Sequence, residues 1–240
     1  MLANEFLGGG VMRVAINLGN PILARRDALT DDLAGVSVDL AGELARRLKI
    51  PVLLVPFAAA GQAAQALANA EVNLAFLAID PERSQGIRFS PAYVCIEGSY
   101  LVRAASPLRA MVEVDRRGMR IAVGLGSAYD LFLSRSLKHA EIVRAPTSPT
   151  VTDTFLEQNL DVAAGVRQQL ESDARRHAHL RLLPGRFMTI NQAMGLPLQA
   201  SDDAWLYLCR FVEEVKRSGF VAAALARHNI EGAAVAPPAI

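Results

Sequence analysis

The chain has few cysteines, few aromatic residues and almost no excess charge, and each shortage excludes a class of protein. Its two cysteines, Cys95 and Cys209, form neither a CxxC pair nor a metal-ligand spacing, so we expect free thiols rather than a disulfide. Lysine and arginine total 25 against 24 aspartates and glutamates, a net charge of +1. This balance provides no field that would attract a phosphate backbone, so nucleic acid is not expected as a partner.

Long hydrophobic runs are also missing. The longest apolar run, from Ile50 to Ala60, contains two prolines and is shorter than the roughly 18 residues needed to cross a bilayer. Residues 1–11 have no basic start and no apolar stretch of signal-peptide length. We therefore expect either a cytoplasmic protein or a chain whose signal peptide is not visible in this sequence.

Short β-type runs alternate with helical patterns, which predicts an α/β protein built on largely parallel sheets. Apolar spacing predicts a helix over 38–49, ended by Pro51, and Ser201 is a good N-cap for a helix that Gly219 ends. We expect the tail from 232 to 240 to be irregular. The predicted strands are 13–17, 52–56, 73–79, 98–103, 120–123, 141–144, 161–164 and 187–191. No flexible linker divides the chain, so a second domain would have to be joined by strands.

The segment from Asn73 to Tyr93 is the most informative part of the sequence. It is predicted as a strand, a turn and a short helix, with Asp80 as the cap and Arg83 in the first turn. Arg83 then lies beyond the carboxyl end of the strand, where open α/β sheets bind their ligands. The alternative is an ordinary solvated arginine, which is the more common fate of this residue type.

Five stretches of the sequence together indicate a family, although none of them is a specific signal alone: 12–17, 33–48, 80–93, 120–127 and 159–165. With them the chain resembles the type II periplasmic binding proteins, specifically solute-binding protein family 3, the polar-amino-acid binders of ABC importers. The resemblance implies two α/β lobes joined by two crossing hinge strands, with the ligand held in the cleft between them. Mapped onto this chain, lobe one covers 11–102 plus 193–240, and lobe two covers 103–192. It also implies a monomeric periplasmic protein that works with an ABC transporter permease.

The resemblance assigns two anion-binding elements. Arg83 matches the arginine that clamps the ligand carboxylate, and a guanidinium suits this role because its paired N–H groups match the two carboxylate oxygens. The second element is the turn from strand to helix at Ser127 and Ala128, whose backbone amides are expected to face the cleft. Ser127 and Asp130 also fit a helix capping box, and both interpretations can hold together.

The chain departs from the family where an amino acid's ammonium group is bound. Small hydroxyl residues are usual ahead of the arginine, but Ala75, Phe76 and Ala78 occupy that stretch here. The aspartate usual on the second lobe is replaced by Val166. Because burying an unpaired charge costs several kcal/mol, we expect a small carboxylate or other polar anion rather than an ordinary amino acid.

Four further residues are weaker candidates for ligand contact: Asn17, Phe76, Arg167 and Asn191. Three of them have an ordinary structural alternative. Phe76 fits a buried core strand, and Arg167 can pair with Glu171 at helical spacing. Asn191, with Gln192, can satisfy backbone groups of a crossing strand.

Signals for catalysis and cofactors are weak. The sequence has no GxSxG elbow and no P-loop, and the glycines at 124 and 126 lack the third glycine of a dinucleotide site. His177 and His179 have no acidic or thiol residue at ligand spacing, so we expect neither a metal nor a cofactor. We therefore predict a non-enzymatic binder. The alternatives are an enzyme on the same scaffold, like the cyclohexadienyl dehydratases, and a ligand-sensing module.

Overall fold

The computed structural model describes residues 2–239, which form a mixed α/β protein. The strands are β1 (Met12–Asn17), β2 (Arg25–Arg26), β3 (Leu33–Ala34), β4 (Val52–Phe57), β5 (Leu74–Ala78), β6 (Ile87–Arg103), β7 (Arg120–Gly124), β8 (Glu141–Ala145), β9 (Val162–Val166), β10 (Leu180–Leu182), β11 (Met188–Pro197) and β12 (Ala234–Val235). The α-helices are α1 (Val36–Leu48), α2 (Ala60–Ala68), α3 (Ala128–Ser136), α4 (Val151–Glu157), α5 (Arg167–Arg176), α6 (Asp202–Arg217) and α7 (Phe220–Arg227).

Helix α1 shows how local sequence sets the bounds of an element. Its buried face includes Leu40 and Leu44, one helical turn apart. The helix ends at Lys49, which adopts a left-handed conformation with φ 55° and caps the last carbonyls with its backbone N–H. Pro51 follows, so this helix ends close to where the sequence predicted.

The chain divides into two compact units. The first comprises the described residues up to Cys95 and those from Asn191 onward. Its sheet has the order β4-β1-β5-β11, in which β1 is parallel to both β4 and β5, while β11 runs antiparallel to β5. Apolar residues of β1, helix α2 and β5, together with Val72 ahead of β5 and Ile87 at the start of β6, form a core on this sheet: Ala15, Ala63, Ala66, Leu67, Val72, Ala75, Leu77 and Ile87.

The second unit spans Ile96 to Ile190. Strand β7 is parallel to β8 and β9, and β6 runs antiparallel to both β9 and β10. Its core is formed by strands β6 to β10 and helices α4 and α5, with Leu160 just ahead of β9: Leu101, Ala122, Ala145, Val151, Phe155, Leu160, Ala163, Leu170 and Leu180. The chain thus passes from the first unit to the second along β6 and returns along β11.

Three predicted elements differ from the structure. The strand predicted at 187–191 continues as β11 to Pro197. Strand β6 begins at Ile87 instead of residue 98, because Pro91 lies within a continuous strand and made this stretch look like a loop. The tail predicted as irregular contains β12, which pairs with Val94 and Cys95 of β6. That pairing joins residues far apart in sequence, so the local pattern carries no sign of it. Ile240 of the same prediction lies outside the described residues.

The thiols of Cys95 and Cys209 are free and partly buried, as expected from their spacing. Burial raises the pKa of both. Of the helices within residues 2–239, none combines the length and apolar character needed to cross a membrane.

Candidate functional site

Several predicted site residues of the first unit lie at one edge of its sheet. Asn17 is the last residue of β1 and Ala78 the last residue of the parallel neighbour β5. The carboxyl ends of parallel strands meet at the same edge, which is where open α/β sheets bind ligands. The Asn17 side chain accepts a hydrogen bond from the Gly19 N–H at 3.0 Å, which shapes the turn that leaves β1.

The turn after β5 positions Arg83. The Asp80 carboxylate accepts a hydrogen bond from the Glu82 N–H at 2.9 Å, and the Asp80 carbonyl accepts one from the Ser84 hydroxyl at 2.9 Å. The predicted short helix is a single 3-10 turn, Arg83–Gln85. Arg83 therefore lies in a turn that is held by hydrogen bonds to both the carboxylate and the backbone carbonyl of Asp80.

The Arg83 side chain is buried and points back toward its own strand. It is only 8% exposed, and its Nη1 donates to the Ala78 carbonyl at 3.1 Å. Burial lowers the pKa of Arg83 to about 10, although the nearby carboxylates of Asp80 and Glu82 act in the opposite direction. The guanidinium therefore keeps its charge at neutral pH, which is a requirement for an anion clamp.

The other two predicted residues of this unit have structural contacts. Phe76 is buried and packs edge-on against Tyr93, with ring centroids 5.9 Å apart. Asn191 is exposed, and its side-chain oxygen accepts a contact from the Cys95 thiol at 3.2 Å. Its carbonyl also accepts from the Ile79 N–H at 2.8 Å. These contacts match the alternatives of a core residue for Phe76 and a crossing-strand residue for Asn191.

The second unit has a comparable edge. Ser127 and Ala128 follow β7, and Arg167 follows the parallel neighbour β9, so these three residues lie at the carboxyl ends of adjacent strands. Ser127 caps α3, because its hydroxyl accepts from the Asp130 N–H at 3.0 Å. This hydrogen bond confirms the half of the predicted capping box in which the Ser127 side chain binds the Asp130 N–H.

Asp130 completes the turn in a way that the sequence did not predict. Its carboxylate accepts from the Gly126 N–H at 2.9 Å, not from the N–H of Ser127. The Ser127 N–H donates to the Gly124 carbonyl at 3.0 Å, so an anion site here would depend on the Ala128 amide. Asp130 is also bound by the Arg144 Nε at 3.1 Å. The turn thus already contains a buried carboxylate paired with an arginine.

Arg167 belongs to a charged cluster within the second unit. Its Nε lies 2.7 Å from the Glu97 carboxylate, its Nη2 donates to the Gly185 carbonyl, and Arg186 contacts the same carboxylate at 2.8 Å. Glu171, the partner expected from helical spacing, is at 4.0 Å. Burial by itself raises the pKa of Glu97. Hydrogen bonds from Arg186 and Arg167 outweigh burial, so the pKa of Glu97 is lowered. Glu97 is therefore a carboxylate whose charge is already balanced.

Val166 stands directly before Arg167 as the N-cap residue of α5. Its side chain has no polar atom, and the preceding acidic residue, Asp161, accepts a hydrogen bond from the Arg120 N–H at 2.8 Å. This edge of the second unit therefore has an apolar side chain at position 166. Within residues 2–239 we find no group of three His, Cys, Asp or Glu side chains that could hold a metal ion.

Solved structures with the same fold cover nearly the whole chain. ArgBP from T. maritima, solved as a P235GK mutant, has a TM-score of 0.80 and 19% identity, over 96% of this chain and 100% of that chain. The solute receptor for L-cysteine of Neisseria gonorrhoeae has a TM-score of 0.80 and 18% identity, over 93% of this chain and 91% of that chain. A histidine kinase sensor domain with similarity to periplasmic binding proteins also has a TM-score of 0.80, at 17% identity, over 94% of this chain and 98% of that chain.

These similarities confirm the two-lobed binding-protein fold that the sequence predicted, but at such low identity they do not choose between its functions. No curated protein matches the chain. The model of one family matches residues 12–228. The chain belongs to the bacterial extracellular solute-binding proteins, family 3.

Proposed function

We propose that this protein binds a small carboxylate or another polar anion and delivers it to the permease of an ABC importer. The observation that carries the proposal is the buried Arg83 guanidinium at the carboxyl edge of the first unit. A charged hydrogen bond from such a group contributes roughly 1.5 to 3 kcal/mol.

The charges around the candidate residues favour an anion without an ammonium group. Val166 offers no counter-charge, and Glu97, which could otherwise approach a cation, is held by two arginines. A bound amino acid would therefore forfeit several kcal/mol for its unpaired ammonium. That loss is enough to change a micromolar complex, about 8 kcal/mol, into a millimolar one.

The charged cluster of Arg167, Glu97 and Arg186 gives no support to the alternative of a dehydratase-like enzyme. A general acid needs a pKa near or above neutral pH. The pKa of Glu97 is shifted in the opposite direction by its arginine partners. Glu97 is thus a poor proton donor at neutral pH, which favours a binding role over a catalytic one.

The test compares matched pairs that differ only in the amine: L-aspartate with succinate, L-glutamate with glutarate and L-alanine with propionate. We expect thermal stabilisation by one or more of the acids without an amine and none by its amino-acid partner. Calorimetry then gives the affinity of any acid that stabilises the protein. Micromolar binding of an ordinary α-amino acid would overturn the choice of ligand class.

A gain-of-function variant tests the same idea from the protein side. Val166→Asp restores an acidic residue at the position where the family binds the ammonium, and we expect L-amino-acid affinity to rise about 10-fold to 100-fold. Val166→Asn is the matched control, because asparagine caps the α5 helix equally well but carries no charge. Equal affinities in the two variants would show that this position does not face the ligand.

A further inference from the structure

The C-terminal segment lies along the crossover strand β6 at the point where the first unit ends. Ala234 pairs with Cys95 and Val235 with Val94, and the Ala236 N–H donates to the Tyr93 carbonyl at 3.0 Å. Cys95 is the last residue of the first unit before the chain enters the second. The pairing therefore covers β6 up to this boundary.

One lysine ties the segment to the body of the unit. The Lys216 ammonium, on α6, donates to the Ala92 carbonyl of β6 at 3.1 Å and to the Pro237 carbonyl at 2.8 Å. Its side chain is only 5% exposed, and it also pairs with Glu213 at 2.7 Å. Burying an ammonium group costs free energy unless its N–H donors have acceptors. The Lys216 ammonium therefore stabilises the arrangement in which α6, β6 and the C-terminal segment are in contact.

The strand pairing of the tail ends at Ala236. Ala236 is buried, whereas Pro237 and Pro238 have no N–H group and cannot continue the strand pairing. Glu213 accepts a further hydrogen bond from the Ala239 N–H at 3.2 Å. The family match ends at residue 228, so the tail lies beyond the part of the chain that the family model describes.

We propose that residues 232–239 form a C-terminal strap that fixes β6 to the first unit as far as Cys95. The strap restricts local opening of this crossover to residues from Ile96 onward. Strand pairing and a buried ammonium together raise the free energy of local opening, which is what sets the protection of backbone amides. The proposal does not depend on the identity of the ligand.

Hydrogen–deuterium exchange of the unliganded protein tests the strap. In a chain that ends at Glu231, we expect the amides of residues 92–95 to exchange about 10-fold faster or more. The amides of β5, in the same unit, should keep their rates. Lys216→Met should give a smaller acceleration confined to the same residues, and Arg217→Met is the matched control because it removes an exposed cation one position further along α6.

Two results would overturn the proposal. Unchanged exchange at residues 92–95 in the shortened chain would show that the tail lies on the strand without holding it. Equal acceleration throughout the first unit would show that the tail is a general part of the core. If the shortened chain does not fold, Ala236→Pro carries the test, because it removes the donor to the Tyr93 carbonyl while keeping residues 232–235 in the chain, and it must accelerate exchange near that bond.

Discussion

Arg83 illustrates how a single side chain can be held in place by its own strand. Its bond to the Ala78 carbonyl links the side chain to the end of β5. A guanidinium has five N–H donors in a rigid fork, so one backbone bond can orient the group toward a carboxylate. The bond also means that removing the side chain affects both binding and stability.

The first prediction concerns replacement of this residue. Arg83→Ala should weaken binding of the acid identified by the matched-pair screen by about 30-fold to 1000-fold, or roughly 2 to 4 kcal/mol. It should also lower unfolding stability by about 1 to 3 kcal/mol, because the buried Ala78 carbonyl loses its donor. Arg83→Lys should restore binding only in part, since lysine is a point charge without the planar fork.

Arg88→Ala is the matched control for calorimetry on these variants. Arg88 also donates to a backbone carbonyl of the first unit, that of Ala200, at 3.0 Å, and stacks on Trp205. Its loss should cost stability without weakening binding. Equal affinity in wild type and Arg83→Ala would remove Arg83 from the site.

A second prediction follows from Glu43, whose carboxylate accepts hydrogen bonds from Arg46 and Arg47 at 2.8 Å. The bond from Arg46, against the opposing effect of burial, lowers the pKa of Glu43 to about 2 from its usual 4.5. A lowered carboxylate pKa stabilises the folded state above the unfolded pKa, and this contribution is lost as the pH falls toward 2. Glu43→Gln should therefore cost about 1 kcal/mol at pH 7, a difference that shrinks between pH 4.5 and 2.

Urea unfolding at pH 7, 4.5 and 3 measures this effect, with Glu157→Gln, an exposed residue of α4, as the control. A stability difference that stays constant over this range would contradict the assigned ion pairs.

The sequence locates individual side chains relative to the strands where the signal is local. Arg83 and Ser127 follow directly from strand ends, and the Ser127 cap lies three residues from its partner. The partners of Glu97 are different, because Arg167 and Arg186 lie 70 and 89 positions away. No spacing rule connects such residues, so the charged cluster emerges only from the fold.

At the scale of elements, hydrophobic periodicity defines α1 and the parallel strands to within about two residues, which is the usual uncertainty of element ends. It fails for β6 because a proline inside a strand resembles a loop. It fails for β12 because this strand has only two residues, Ala234 and Val235, which is too short for a hydrophobic periodicity to show.

The backbone of Ser148 lies close to Gly124, which predicts the effect of a side chain at this position. A Cβ added to this last residue of β7 would lie 2.7 Å from the Cα of Ser148. Gly124→Ala should therefore lower unfolding stability by about 1 to 3 kcal/mol, since backbone must shift to relieve the overlap. Gly42→Ala is the opposite case: it lies within α1 with nothing within 4 Å, and should stabilise the protein by about 0.5 to 1 kcal/mol. Denaturant melts of both variants check the signs.

At the scale of the whole molecule, the first unit is formed by two separate parts of the chain, and the second unit by the part between them. The sequence placed the boundaries of the two lobes inside or near the crossover strands, at 102–103 and 192–193. Each unit carries several of its candidate residues at the carboxyl edge of parallel strands, Asn17 and Ala78 in the first and Ser127, Ala128 and Arg167 in the second. Because two crossover strands join the units without a flexible linker, we predict a hinge motion in response to ligand.

Small-angle scattering measures this motion. We expect the radius of gyration to decrease when the acid with the largest thermal shift is added at saturation, and to stay constant with Arg83→Ala under the same conditions. Identical radii for the wild-type protein with and without that acid would contradict a hinge that responds to ligand.

The distribution of thiols makes the molecule convenient to label. Both cysteines belong to the first unit, and burial raises the pKa of each, which slows their reaction with alkylating dyes. Residues 96–190 contain no cysteine. A single exposed cysteine introduced there, for example by Arg175→Cys, would therefore accept a fluorophore selectively and turn the protein into an optical reporter of its own ligand.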